Sequence, residues 1–99
     1  MSGRLDQPVS LDYAFSGAIG VPVKGEIWSA VEIPGSRDVF GSLRSVRVDA
    51  TVDGVLVEDI GLMPTGSGEL MLSVSAPLRK KLGKDIGHEV RVVLLRRLT

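Results

Sequence analysis

Asp49 and Glu58 stand symmetrically about Asp53-Gly54, so a two-residue turn at that dipeptide sets the two carboxylates opposite each other on paired strands. Opposed carboxylates repel unless a cation lies near, and the arrangement suits a weak divalent-ion site or an acid/base pair. Arg47, or a basic side chain on a neighbouring strand, would neutralise the pair structurally, and that reading takes precedence over catalysis. A register shift abolishes the pairing. His88 is the sole histidine, on the parity of Val90 and Val92. With no serine or cysteine nucleophile motif beside it, its expected role is structural rather than acid/base. Trp28 is the sole tryptophan. If Ile27 faces inward, the indole faces outward, either as a stacking platform for a ligand or peptide or packed beneath the leader or a helix. Arg79, Lys80, Lys81 and Lys84, joined later by Arg96 and Arg97, suit a phosphate-binding surface or a solvated helix face. No aromatic residue interleaves that run to stack a base. Thr65-Gly-Ser-Gly68 lacks the Lys-Ser/Thr end of a P-loop and reads as a hairpin loop, with Ser67 able to meet a ligand if it orders over a pocket mouth.

Composition bounds these choices. The 99 residues suffice for one domain, and twelve basic and twelve acidic residues cancel, leaving no global field for a polyanion or an anionic membrane. The chain has no cysteine, which excludes disulfides and thiolate zinc sites and suits a reducing cytoplasm. No apolar run reaches the roughly 18 residues of a spanning helix. No cofactor, metal or membrane partner is therefore expected, and the expected location is cytoplasmic.

The elements that must position these residues follow from hydrophobic period. Alternation recurs at Leu11, Tyr13, Phe15; Ile27, Ser29, Val31, Ile33; Val46, Val48, Ala50, Val52; Val55, Val57; Leu70, Leu72, Val74; and Val90, Val92, Leu94. Residues 1–9 read as a loose leader and 10–99 as a single domain. Residues 17–25 read as the first connection, Pro34-Gly35 ends the second strand, and Ser36 is expected to cap a short helical turn through Phe40. Asp53-Gly54 predicts a primed hairpin turn. Ser75 predicts an N-cap, Pro77 fits the first turn that follows, and Gly83 ends the helix. Leu78 and Leu82 form its one apolar edge, which predicts a plug at one end of a barrel.

Several ordered motifs carry a resemblance: Phe15-x-Gly17, Trp28-x-x-Val31-x-Ile33-Pro34, Val39-Phe40-Gly41, Val46-x-Val48-x-Ala50-Thr51-Val52-Asp53-Gly54, Met63-Pro64-x-Gly66-x-Gly68, Leu78-Arg79-Lys80-x-Leu82-Gly83 and Gly87-x-x-Val90-x-Val92. Together they resemble the bacterial and archaeal family known as domain of unknown function nineteen-oh-five, found beside YdeI-type, OmpD-associated segments. The resemblance implies a small closed β-barrel with short helices and assigns no activity. Ala50 stands where the family pattern leads to glycine, and His88 where it leads to an acidic residue. The terminal helix and Gly-x-x-Val strand also resemble the swapped-hairpin barrels of AbrB-like and MazE-like DNA-binding proteins. Those modules are about half this length and close by dimerising.

The combined expectation is an all-β domain, a small closed six-stranded barrel with one or two short helical turns, as a monomer or weak homodimer. Its leading function is a non-enzymatic small-molecule or protein-interaction role, with a site at Trp28 and the loops near Arg37, Arg44 and Arg47. The alternative is nucleic-acid binding through Arg79, Lys80, Lys81 and Lys84. An acid/base enzyme using Asp49, Glu58 or His88 comes third.

Overall fold

Period-2 runs of aliphatic residues form strands because branched side chains pack well on a pleated surface that is wet on one face only. The computed structural model, which describes residues 7–41 and 46–99, contains β1 (Val9–Ala18), β2 (Val21–Val23), β3 (Glu26–Trp28), β4 (Ala30–Ile33), α1 (Ser36–Phe40), β5 (Arg47–Val52), β6 (Val55–Pro64), β7 (Leu70–Ser73), α2 (Ala76–Leu82) and β8 (Glu89–Arg97). Six strands form one sheet in the order β1-β8-β5-β6-β7-β4, all neighbours antiparallel, while β2 and β3 form a separate hairpin. Val48, Ala50, Val52, Leu70, Leu72, Val92 and Leu94 point into the interior with no exposed surface. Leu78 and Leu82 of α2 pack against the same core, as their four-residue spacing predicts.

The sheet curls through three aligned irregularities. Between Ser10 and Tyr13, β1 carries an extra residue against β8; β8 carries one against β5 at Leu95; and β6 sets Glu58 and Asp59 against the single Asp49 of β5. Asp12 and Asp59 have φ of 47° and 51°, a left-handed conformation that aspartate tolerates better than most residues. Bulges steepen the twist and bend a strand. Here they bring the sheet's two ends, β1 and β4, together. The Gly20 amide donates to the Ala30 carbonyl at 2.8 Å, and the Tyr13 hydroxyl donates to the Pro34 carbonyl. A Cβ on Gly17 would lie 3.1 Å from Cγ1 of Val31, a residue with no exposed surface, so a bare backbone is what lets the two edges meet. The six-stranded sheet is thereby nearly closed into a barrel within one chain.

Three local expectations are corrected. The run from Ile27 to Ile33 is two strands broken at Ser29, so Val31 and Ile33 are core residues while Ile27 is 59% exposed. Residues 17–25 are not a plain connection: β1 continues to Ala18, and Lys24-Gly25 turns the β2–β3 hairpin. Ser36 does not cap α1. Gly35 holds the N-cap position at φ 69°, and the buried Ser36 Oγ accepts a bond from the Leu70 amide at 2.7 Å. Ser75, by contrast, caps α2 by accepting from the Leu78 amide, and Gly83 ends it at φ 67°. Most of the expected leader lies outside the described residues, and β1 already pairs Val9 with Arg97.

Gly17→Val is expected to lower stability by about 2 kcal/mol through overpacking of the seam, read as a lower urea midpoint at unchanged m-value. An unchanged midpoint would mean that β1 and β4 part without cost.

Candidate ligand-binding groove

The β2–β3 hairpin lies on the outer face of the barrel. Val21 of β2 is buried with Ala30 of β4 and Met71 of β7, and Val23 packs beside them, forming a second small core outside the first. Because Val21 and Trp28 are directly paired across the hairpin, they share a face, opposite to that of Ile27. Trp28 is 36% exposed, against 59% for Ile27. The corner behind it is fixed by Ser29, whose Oγ donates to the Val74 carbonyl at 2.6 Å and accepts from Arg79, while the Val74 amide donates to the Ser29 carbonyl at 2.9 Å.

Opposite the hairpin stands the loop between β6 and β7. Buried Thr65 organises it: Oγ1 accepts from the Ser67 amide at 3.1 Å, donates to the Glu69 carbonyl at 3.2 Å and lies 2.8 Å from Ser67 Oγ. Glu69 in turn accepts from the Gly35 amide through Oε2. Between hairpin and loop opens a groove of about 540 Å³, lined by Pro22, Val23, Lys24, Trp28, Pro64, Thr65, Gly66 and Ser67. That volume falls within the roughly 300–1,000 Å³ usual for small-molecule sites.

Of the residues singled out from sequence, Trp28 and, from the glycine-rich loop, Thr65, Gly66 and Ser67 line this groove. Arg37 is exposed on α1, Arg47 pairs with Asp59 at 2.7 Å, and neither lines it. Arg44 lies outside the described residues. Sequence reasoning passed over Lys24, and it read Pro64 as part of a loop without assigning it to a site. The signal for Lys24 was present, since Lys24-Gly25 between two short runs has the same form as Asp53-Gly54.

The acidic candidates are held in structural bonds. The extra residue on β6 breaks the Asp49–Glu58 pairing; Asp49 instead accepts from the Asp59 amide at 2.8 Å and pairs with Arg96 of β8 at 3.2 Å. This is the neutralising basic side chain on a neighbouring strand. Glu58 is exposed. His88, exposed just before β8, accepts the Asp85 amide on Nδ1 at 2.9 Å. Eight residues of extended chain separate His88 from Arg96, ~25 Å, so His88 and Asp49 share no site. Ala50, in the expected glycine position, is fully buried in the core.

Much of the basic segment is likewise engaged. Arg79 is three-quarters buried against Ser29 and the Val74 carbonyl and lies 3.4 Å from Asp85. Lys84 reaches both Asp53, at 2.6 Å, and the Glu89 carbonyl, and Arg97 donates to the Phe40 carbonyl with its guanidinium 5.7 Å from that ring's centre. Lys80 and Lys81 are exposed and pair with no acidic group among the described residues. No group of three or more potential metal ligands occurs among the described residues, and none of their helices is long and apolar enough to cross a membrane.

Fold and groove together define a small, nearly closed β-barrel carrying an external hairpin and a concave apolar site between hairpin and loop. The chain belongs to the family described as Domain of unknown function (DUF1905), whose model matches residues 15–94 and so includes both walls of the groove. A comparison with curated proteins gives no match.

The Asp53 carboxylate ties the β5–β6 turn to the rest of the barrel. The Lys84 ammonium and the Arg91 amide, which donates to it at 2.8 Å, hold its carboxyl below the usual carboxylate range. A carboxyl with a depressed folded pKa contributes stability above its unfolded value, about 3.9, and that contribution is lost as pH falls through the folded value. Asp53→Asn keeps the turn but removes the charge. It is expected to melt below the wild type at pH 7, with the difference closing below about pH 4; a gap unchanged from pH 7 to pH 3 would contradict this linkage.

Proposed function

We propose that this chain is a non-enzymatic binding domain that takes a small molecule in the Trp28 groove. The observation that carries the reading is a partly exposed tryptophan on one wall facing a hydrogen-bonded loop on the other, around about 540 Å³. Large aromatic side chains left partly open inside a concavity are expensive to keep wet and give up that surface readily to a ligand. Enclosure on two sides suits a small molecule better than a flat protein face. The engagement of Asp49 and the turn role of His88 argue against an acid/base reading, and the internal contacts of Arg79 and Lys84 leave the basic segment few cations for phosphates. A cysteine-free composition fits a reducing compartment, in keeping with a cytoplasmic role.

Trp28 supplies its own probe, because its indole N–H gives a unique proton–nitrogen resonance. In a fragment screen by NMR, bound fragments are expected to shift that signal, and Trp28→Ala to weaken them about tenfold or more. Fragments that bind only elsewhere, with affinities untouched by Trp28→Ala, would remove the groove as the site.

A further inference from the structure

The groove's chemistry is uneven. Of the eight residues lining it, Trp28, Pro22, Val23 and Pro64 present apolar surface, and Lys24 carries the single charge. Lys24 is exposed and forms no ion pair with any described residue, and the Trp28 indole N–H has no hydrogen-bond partner among them. An apolar aromatic wall beside one uncompensated ammonium complements a flat ring that bears one negative charge.

Lys24 is also oddly placed. Among the described residues, two tight turns share one form: Asp53-Gly54, with φ of 49° and 81°, and Lys24-Gly25, with φ of 50° and 83°. Such turns favour Asn, Asp or Gly at the first position, because a Cβ disfavours left-handed backbone and a short polar side chain compensates by local bonding. Asp53 fits that pattern, accepting the Arg91 amide. Lys24 gains nothing of the kind, so the hairpin that walls the groove keeps a disfavoured residue at its tip. A sparsely populated backbone state retained beside a concavity is the pattern of a residue held for ligand contact.

Resting on the groove-binding reading above, we propose that the site selects planar aromatic carboxylates, with the ring against Trp28 and the carboxylate met by the Lys24 ammonium. The probes are 2-naphthoate and its neutral counterpart 2-naphthamide, titrated by NMR on the Trp28 indole signal at low and high salt. Naphthoate is expected to bind about fivefold tighter at low salt, with the preference shrinking as salt rises. Lys24→Arg retains the preference. Lys24→Asn abolishes it while raising the melting temperature, since asparagine suits the turn; this gain also shows that the variant is folded. Equal binding of the two ligands to wild type, or a preference that survives Lys24→Asn, overturns the carboxylate assignment and leaves groove binding standing. If neither ligand shifts the Trp28 signal, the aromatic assignment falls, and the fragment screen alone decides whether the groove binds anything.

Discussion

Where β1 meets β4, a missing side chain does the joining. Gly17 presents only backbone to Val31, and a Cβ there would stand 3.1 Å from Cγ1 of that fully buried residue, closer than ordinary van der Waals contact. A six-stranded antiparallel sheet with ordinary twist leaves two open edges, each a row of unpaired amides and carbonyls. The bulges at Asp12, Leu95 and Asp59 add the extra coil that carries those edges toward each other. One backbone bond, from Gly20 to Ala30, then latches the seam at the point where the chain leaves for the β2–β3 hairpin.

The groove depends on that latch. Gly20 and Ala30 sit immediately before β2 and at the start of β4, so the seam fixes both ends of the hairpin, and Val21 can bury against Ala30 and Met71 only while they stay together. Arg79 reinforces the same corner through Ser29. Elsewhere on the barrel, charged residues that look available for chemistry on paper pair with one another between neighbouring strands and turns: Arg96 with Asp49, Arg47 with Asp59, and Lys84 with Asp53. Lys24, at the tip of the hairpin, is the charged residue that the groove keeps.

Hydrophobic period made the barrel interior legible, because residues such as Val48, Ala50, Val52, Leu70 and Leu72 alternate with little interruption and all face inward. Turn chemistry was equally readable at Asp53-Gly54 and at the Ser75 and Gly83 caps. Period misleads where two strands follow one another without punctuation: Ser29 keeps the alternation of Ile27 and Val31 while the chain changes sheets. Bulges are invisible for a related reason. An extra residue opposite Asp49 leaves the local pattern of β5 intact and shows only once the partner strand is known. The groove is harder still, since Trp28, Lys24 and Ser67 converge through packing of a hairpin onto the outside of a barrel, which no local pattern encodes.

Amide hydrogen exchange at Gly20 tests the self-closed barrel most directly, since its N–H is the backbone donor across the seam. Closure predicts that this amide exchanges only through global unfolding, with a protection factor above ~10³ and the same denaturant dependence as core amides of β5 and β8. Exchange at the rate of an exposed loop, while β5 and β8 stay protected, would contradict it: the sheet would then be open at β1 and β4, and the hairpin beside Trp28 would lose its anchor.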